Sequence, residues 1–358
     1  MISISLCMIV KNECETLPRC LDSVAGIADE IIIADTGSTD GTQDAARRYT
    51  DRIFSFDWCD DFSAARNFAF SKAKMDYCMW LDADDVILER DRELLLELKR
   101  TLEPDTDVVM LRYRSAAPEG GTPALSYYRE RLLRRAAGFR WEGAIHEVIT
   151  PRGKIVYSDA SVTHAKTGIG DPWRNLRIFE KLLAGGRELS PREQFYYARE
   201  LTYHGRDEEA AEQFRSFLDS GRGWVENEIE ACLNLSACLL RLGRSEDAFT
   251  ALVRSFRFGM PRAEICCELG RFFSDRGDYA TARFWYEHAL AAPDGARSGG
   301  FSLTDCRGYI PYLGLCVCAW RLGDAALSRS YNDMAGQIKP QGREYLFNKS
   351  FFDAYKQQ

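Results

Sequence analysis

Asp82-Ala83-Asp84 is a pair of carboxylates separated by one small residue, directly after the apolar run Tyr77-Cys78-Met79-Trp80-Leu81. Two such side chains can hold a hard divalent cation, and a diphosphate brought to that cation adds oxygen ligands and has its charge neutralised. A lone Asp-x-Asp is common on protein surfaces, and its place after a buried strand is what singles this one out. The bland alternative is an acidic N-cap for a helix near Glu89–Leu102. A second aspartate, Asp35, follows Ile31-Ile32-Ile33-Ala34 and opens Asp35-Thr36-Gly37-Ser38-Thr39-Asp40-Gly41-Thr42. It is either a strand-end turn residue or an acceptor for hydrogen bonds from a nucleobase or ribose. The segment lacks Gly-x-Gly-x-x-Gly, and the chain has no Gly-x-x-x-x-Gly-Lys-Ser/Thr, so dinucleotide and P-loop chemistry are disfavoured.

These aspartates need strands to place them. In the first hundred residues short apolar runs alternate with amphipathic ones, which predicts a parallel sheet with crossover helices. The predicted strands are Ser3–Val10, Asp29–Asp35, Arg52–Phe56 and Asp76–Asp82, with helices over Glu13–Ala25 and Phe62–Ala73. Ile31 to Ala34 is apolar on both faces, as a strand buried in a doubly wound sheet must be. In such sheets ligands bind beyond the carboxyl ends of the strands, so Asp35, Asp82 and Asp84 should converge on one edge. From Thr106 to about Val162 the chain reads as short β segments, Val108–Tyr113, Tyr127–Leu133, Ile145–Ile149 and Lys154–Val156. Turn-prone Pro118-Glu119-Gly120-Gly121 and Pro151-Arg152-Gly153 separate them.

After Pro172 the chain becomes helical and repetitive. Gly205, Gly243, Gly277 and Gly323 stand 38, 34 and 46 residues apart, each followed within about five residues by an alanine that opens another helix. A helix–turn–helix unit of thirty-four residues resembles a tetratricopeptide repeat, with Pro293–Pro311 lengthening the third interval. The expected organisation is an α/β domain over 1–185 and an all-α solenoid over 190–358. Such stacks offer a concave surface for a peptide or protein; the alternatives are that this one braces the first domain or makes a homodimer.

Composition narrows the function classes. The 358 residues are 46% hydrophobic and 28% charged, with 47 Lys and Arg against 54 Asp and Glu and a net charge of −7. No basic excess marks nucleic acid as a partner. Ile4 to Val10 is far too short to span a bilayer and has no signal-peptide flanks. The twelve cysteines contain no Cys-x-x-Cys, which fits a reducing cytoplasm and buried thiols.

Ser5-Leu6-Cys7-Met8-Ile9-Val10-Lys11-Asn12-Glu13, then Asp35 to Thr42, then Asp82-Ala83-Asp84-Asp85 together resemble a family 2 glycosyltransferase of the GT-A fold. The similarity is greatest to the bacterial branch that appends tetratricopeptide repeats, which includes peptide S-glycosyltransferases of the sublancin type and flagellin glycosyltransferases. The resemblance implies a nucleotide contact at Val10, Asn12 and Glu13, whose alternative role is an ordinary helix start, and a uracil or ribose contact at Asp35. Within Asp61-Phe62-Ser63-Ala64-Ala65-Arg66-Asn67 it places Arg66 and Asn67 near the nucleotide, a solvated arginine being the alternative. It puts Asp82 at the ribose or metal and Asp84 at the metal. His164, in Ser161-Val162-Thr163-His164-Ala165-Lys166-Thr167-Gly168, resembles the distant histidine of the metal shell; otherwise it bonds the backbone. His204 and His288 read as structural.

An inverting transfer needs a base on the face opposite the departing diphosphate. Trp141-Glu142-Gly143-Ala144-Ile145-His146-Glu147 offers Glu147 and His146, with Trp141 as an aromatic that could stack on a sugar. Many family members carry Glu-Asp here, so the base stays open between Glu147, His146 and neither. Arg131, Arg134 and Arg135 could offset phosphate charge or form an exposed basic strand. The expected enzyme uses Mn²⁺ or Mg²⁺ and moves glucose or N-acetylglucosamine from a UDP-sugar to a peptide or protein hydroxyl or thiol. A carbohydrate or lipid-linked acceptor is the alternative within that chemistry, and an inactive nucleotide-sugar-binding repeat scaffold the alternative outside it.

Overall fold

Apolar side chains on both faces of β1 (Ile4–Val10) dictate a three-layer arrangement in the N-terminal half. Leu6 and Met8 enter one core with Leu17, Leu21, Ala46 and Leu95, whereas Cys7, facing the other way, packs with Ile32, Ala34 and Ala69. The first core is covered by α1 (Leu17–Ser23) and α2 (Thr42–Arg47), and the second by α3 (Phe62–Ser71). Leu95 belongs to α4 (Glu89–Thr101), on the same side as α1 and α2. Asp61 caps α3 by accepting the Ala64 N–H at 2.9 Å, which fixes where that helix starts.

The computed structural model describes residues 1–115, 126–165, 171–292 and 303–355. Within them β1 pairs in parallel with β2 (Glu30–Asp35) and β4 (Tyr77–Trp80), and β2 with β3 (Ile53–Ser55). Beyond β4 the sheet changes character. With β5 (Asp85–Val86), β6 (Val108–Ser115), β7 (Ser126–Arg134) and β8 (Ile155–His164), the strand order is β3-β2-β1-β4-β7-β6-β8-β5. The β4–β7, β7–β6 and β8–β5 pairings are antiparallel and β6–β8 is parallel. The parallel, doubly wound reading therefore holds for four strands, and the remainder makes the sheet mixed.

Two β readings need correction. Ile145–Ile149 forms no strand: Gly143 (φ 95°) and His146 (φ 51°) break the extended backbone, leaving one isolated bridge between Glu142 and Val148. Of Lys154–Val156, only Ile155 and Val156 are strand, and they are merely the opening of the ten-residue β8. Its middle, Ser158 and Asp159, is polar, so no apolar run announces the strand, although its second half is buried. The turn at Pro118–Gly121, the Lys166–Gly168 part of the histidine motif and most of the 293–311 insert lie outside the described residues. A fifth helix, α5 (Arg174–Ala184), follows β8.

Met1–Glu188 and Leu189–Gln358 are separate compact units. The second is helical: α6 (Pro191–Tyr203), α7 (Asp207–Ser220), α8 (Val225–Arg241), α9 (Ser245–Arg254), α10 (Ala263–Asp275), α11 (Tyr279–Ala291), α12 (Tyr309–Arg321), α13 (Ala325–Ile338) and α14 (Arg343–Tyr355). They pack as consecutive pairs, α6 on α7, α8 on α9, α10 on α11 and α12 on α13. Each pair turns on one glycine, Gly205, Gly243, Gly277 or Gly323, with φ between 70° and 90°, a conformation that costs a side chain-bearing residue energy. Tyr286 of α11 fills the space beside Gly270 and Gly314, where a methyl group would come within 2.8 and 2.4 Å of its ring. This is the architecture that the glycine spacing predicts. No helix among the described residues is long and apolar enough to cross a membrane.

Candidate active site

Strand register brings the candidate chemistry together. Val10 pairs with Asp35, so β1 and β2 end side by side, and β4 ends one strand over at Trp80. The chain leaving β4 turns through Asp82, Ala83 and Asp84 into β5, which pairs antiparallel with the end of β8. Asp85 thereby faces His164, seventy-nine residues on in the chain, and the Ala165 N–H donates to the Asp84 carbonyl at 2.8 Å. His164 Nδ1 lies 3.4 Å from Asp84 Oδ1 and 3.6 Å from Asp85 Oδ1, and one ligand atom from each of the three side chains falls within 4.8 Å of the others.

This cluster fits a divalent cation. Asp85 is wholly buried, and its Oδ1 has no hydrogen-bond partner among the described residues; neither has His164 Nδ1. Buried polar atoms left unpaired are costly, and a cation between them would satisfy both. Asp84 is not a helix cap, since α4 starts after Leu88 and without a side-chain cap. Without a cation, the carboxylates of Asp84 and then Asp85, 3.4 and 3.6 Å from its Nδ1, push the His164 imidazole up to about 10, with burial opposing. The metal-free imidazolium thus adds stability below its ordinary value near 6.5, and that stability is lost as pH rises towards 10. A cation ligated by this ring must displace the proton. Mn²⁺ affinity is therefore expected to rise about tenfold per pH unit between pH 6.5 and 8, read by calorimetric titration. A flat profile would remove His164 from the ligand set.

The neighbouring group is built around Arg66 of α3. Its side chain is buried between the rings of Trp80 and Trp141, 5.0 and 4.8 Å from their centroids. Nε donates to Glu147 Oε1 at 2.6 Å and Nη2 to Asp82 Oδ1 at 2.7 Å. One guanidinium thus joins the turn after β4 to the loop carrying His146 and Glu147. Burial alone would raise the Asp82 carboxyl, but the charges of Arg66 and Arg131 outweigh it and hold the group below the usual carboxylate range. The loop is tied to α3 a second time, where the Asn67 amide donates to the Trp141 carbonyl and accepts its N–H, both at 2.9 Å.

Members of both groups line a cleft of about 420 Å³. Val10, Glu13, Arg66, Asp82, Asp84, His146, Glu147 and His164 all border it. Burial, followed by the charges of Asp84, Asp40 and Asp82, raises the Glu13 carboxyl. The backbone at His146 is held at φ 51°, a strained value for a residue other than glycine.

Several of the expected residues stand elsewhere. Trp141 is 3% exposed, packs edge-to-face on Trp80 and Phe70, and borders the core rather than the cleft, so it is not placed to stack on a sugar. Asp35 is buried, its carboxylate accepting from Ser38 and Gln43 Nε2, and it does not line the cleft. Asn12, also absent from the lining, accepts the Thr39 N–H at 2.8 Å and shapes the loop instead. Asn67 is spent on the Trp141 backbone. In the cation cluster Asp85 takes the place expected for Asp82, because Asp82 is held by Arg66. Arg134 and Arg135 bond Asp107 and the Met75 carbonyl away from the cleft.

The sequence reading missed Lys11, Trp58, Phe62, Tyr113, Tyr127, Arg129 and Arg174, all of which line the cleft. Only the alternation along β7, which puts Arg129 and Arg131 on the same face, was available as a signal. With Arg66, the cleft sets guanidinium groups beside carboxylates, an arrangement suited to a cation and a diphosphate together.

The family model described as glycosyl transferase family 2 matches residues 5–153. A TPR repeat-containing protein of Synechococcus elongatus is 39% identical over 150 residues, covering 42% of this chain and 36% of that one. The SPbeta prophage-derived glycosyltransferase SunS of Bacillus subtilis is 26% identical over 249 residues, covering 65% of this chain and 58% of its own. The lipopolysaccharide core biosynthesis glycosyltransferase LpsC of Rhizobium meliloti is 30% identical over 187 residues, covering 50% of this chain and 66% of its own. The chain spans about a third to two thirds of the length of these curated relatives. The mixed sheet with its site beyond the parallel strands, the matched residues and the paired helices agree: this chain carries a family 2 glycosyltransferase domain of GT-A type, followed by tetratricopeptide-like repeats.

Proposed function

We propose that this protein is an inverting, divalent cation-dependent glycosyltransferase that moves a hexose, glucose or N-acetylglucosamine, from a UDP-sugar to a peptide or protein hydroxyl or thiol. The observation that carries this reading is the meeting of Asp84, Asp85 and His164 beside a cleft that Asp84, His164, Arg66 and Glu147 line. Asp84 and His164 would hold Mn²⁺ or Mg²⁺, with Asp85 facing them. When bound, the cation supplies charge neutralisation for the departing diphosphate.

The chain's own groups do the rest. Arg66 is held protonated, because the charges of Asp82 and Glu147 outweigh its burial, and it presents a fixed cation to the nucleotide side of the cleft. Val10 and Glu13 border the nucleotide. Glu147, oriented by the Arg66 Nε bond, is the favoured base for the acceptor hydroxyl or thiol, and His146 is the second candidate. The peptide or protein acceptor rests on the resemblance to bacterial enzymes with appended repeats and on the helical unit itself, since stacked helix pairs offer a surface for another chain. The match to LpsC, whose name assigns it to lipopolysaccharide core biosynthesis, favours a carbohydrate acceptor as the second reading.

The test is nucleotide release from a panel of uridine and guanosine diphosphate sugars, with Mn²⁺ or chelator, followed by acceptor screening. Chelator-sensitive release from one uridine donor is expected. Glu147→Gln should lower kcat by about 10²–10⁴-fold with donor affinity little changed. Undiminished transfer by Glu147→Gln would remove it as base and turn attention to His146. Neither binding nor release with any donor would leave the repeat scaffold as the better reading.

A further inference from the structure

Arg131 has the largest fully buried side chain in the described part of the protein, 1% exposed, yet it carries a permanent charge and lies on a strand that runs beside the cleft. Three contacts immobilise it. The guanidinium carbon sits 3.7 Å from the Trp80 ring centroid and 4.8 Å from that of Tyr113, and Nη1 donates to the Trp80 carbonyl at 3.0 Å. The Trp80 indole is itself pinned, its Nε1–H donating to the Glu130 carbonyl at 2.6 Å. The same Nη1 donates to Asp85 Oδ2 at 3.1 Å, an oxygen that also accepts the Asp82 N–H at 3.1 Å.

Asp85 Oδ2 is therefore fully used, and its carboxylate plane cannot turn without losing both bonds. The other oxygen, Oδ1, is buried, lacks a hydrogen-bond partner among the described residues and faces His164 Nδ1 at 3.6 Å. Burying an ion pair is costly unless its geometry serves a purpose, and here the geometry leaves one carboxylate oxygen aimed at the ligand nitrogen. We propose that Arg131 is a positioning residue for the cation site: by occupying Oδ2 it holds Asp85 so that Oδ1 completes the ligand set of Asp84 and His164. The inference rests on the cation-dependent reading above and deepens it. Metal-ligating carboxylates are generally held by such outer partners, whose loss weakens metal binding by about 10–100-fold. Lysine cannot substitute here, since an ammonium lacks the planar face that stacks on the Trp80 ring and fixes where Nη1 lies.

The experiment is a Mn²⁺ titration of the full chain without nucleotide or acceptor, followed by electron paramagnetic resonance, for wild type, Asp84→Asn, Arg131→Lys, Asp85→Asn and the double variant, with folding checked by circular dichroism. Arg131→Lys is expected to bind Mn²⁺ about tenfold or more weakly, and Asp85→Asn at least as weakly. Because Arg131 acts through Asp85, the double variant should bind no more than about twofold weaker than Asp85→Asn alone. Should Arg131→Lys fail to fold, Asp85→Asn, which keeps the side-chain shape and an acceptor for Arg131, carries the test. Wild-type affinity in folded Asp85→Asn or Arg131→Lys, with Asp84→Asn impaired, overturns this inference and leaves the cation site standing. Wild-type protein that takes up no Mn²⁺ overturns the cation site and this inference with it.

Discussion

Asp84→Asn is expected to lose chelator-sensitive sugar transfer by about 10³-fold or more while the domain stays folded. A cation that neutralises a leaving diphosphate is worth several kcal/mol in the transition state, and each 1.4 kcal/mol is about tenfold in rate. Folding should survive because the structural bond at this position is made by the backbone, the Asp84 carbonyl accepting from Ala165, and the side chain is a quarter exposed. The same substitution has a second readout. The Asp84 carboxylate beside the ring is the foremost cause of the raised His164 value, so the imidazole should titrate at lower pH in the variant, as followed by NMR. Full chelator-sensitive turnover in Asp84→Asn would sink the metal assignment, whatever the histidine does.

Arg66→Met is the second large effect, and it falls on stability as well as activity. The substitution deprives Glu147 and Asp82 of the guanidinium bonded to both and removes the planar group that fills the space between Trp80 and Trp141. Breaking a buried ion pair from one side costs about 3–5 kcal/mol. For a unit of this size that lowers Tm by roughly 10 °C. The pH dependence has a definite sign. Asp82 titrates below the usual range in the folded protein, so the stability it gains from Arg66 is present above the unfolded value near 4 and is lost as pH falls through the lower folded one. The gap in Tm between variant and wild type should therefore be widest above pH 5 and narrow on acidification. Calorimetric melts between pH 3 and 7 check it, and a gap that does not change with pH would show that packing between the two tryptophans, not charge, is what Arg66 contributes.

The two halves of the site differ in how far they could be read from residues alone. Asp82 and Asp84 follow an apolar run that could only be a buried strand, and a strand of a parallel sheet delivers its carboxyl end to the ligand edge wherever it lies. Local order was enough there. His164 was reachable through its motif, as Asp84 was, but its second carboxylate partner was not: Asp85 meets it through an antiparallel pairing across seventy-nine residues, and register between distant strands leaves no trace in local periodicity. Trp141 shows the opposite failure. An aromatic beside an acid and a histidine reads as a platform for a sugar, yet the loop is tied to α3 by Asn67, and this turns the indole into the core beside Trp80. Arg66 likewise reads as a nucleotide contact on a helix face, whereas its two carboxylate partners come from the turn after β4 and from the 141–147 loop.

What the amino-acid order by itself determined is the class of each unit: apolar runs at strand spacing for the sheet, glycines at repeat spacing for the helix pairs, and an acidic turn at a strand end. Those features follow from local propensity and periodicity, which act over a few residues. Only the tertiary structure decided which carboxylate joins His164, that one arginine ties Asp82 to Glu147, and that Arg131 is enclosed against Asp85. Each of these is a choice among partners that differ little in chemistry, and it is made by strand register and by the burial of charge, where the free energy depends on where the chain has folded rather than on what precedes or follows in sequence.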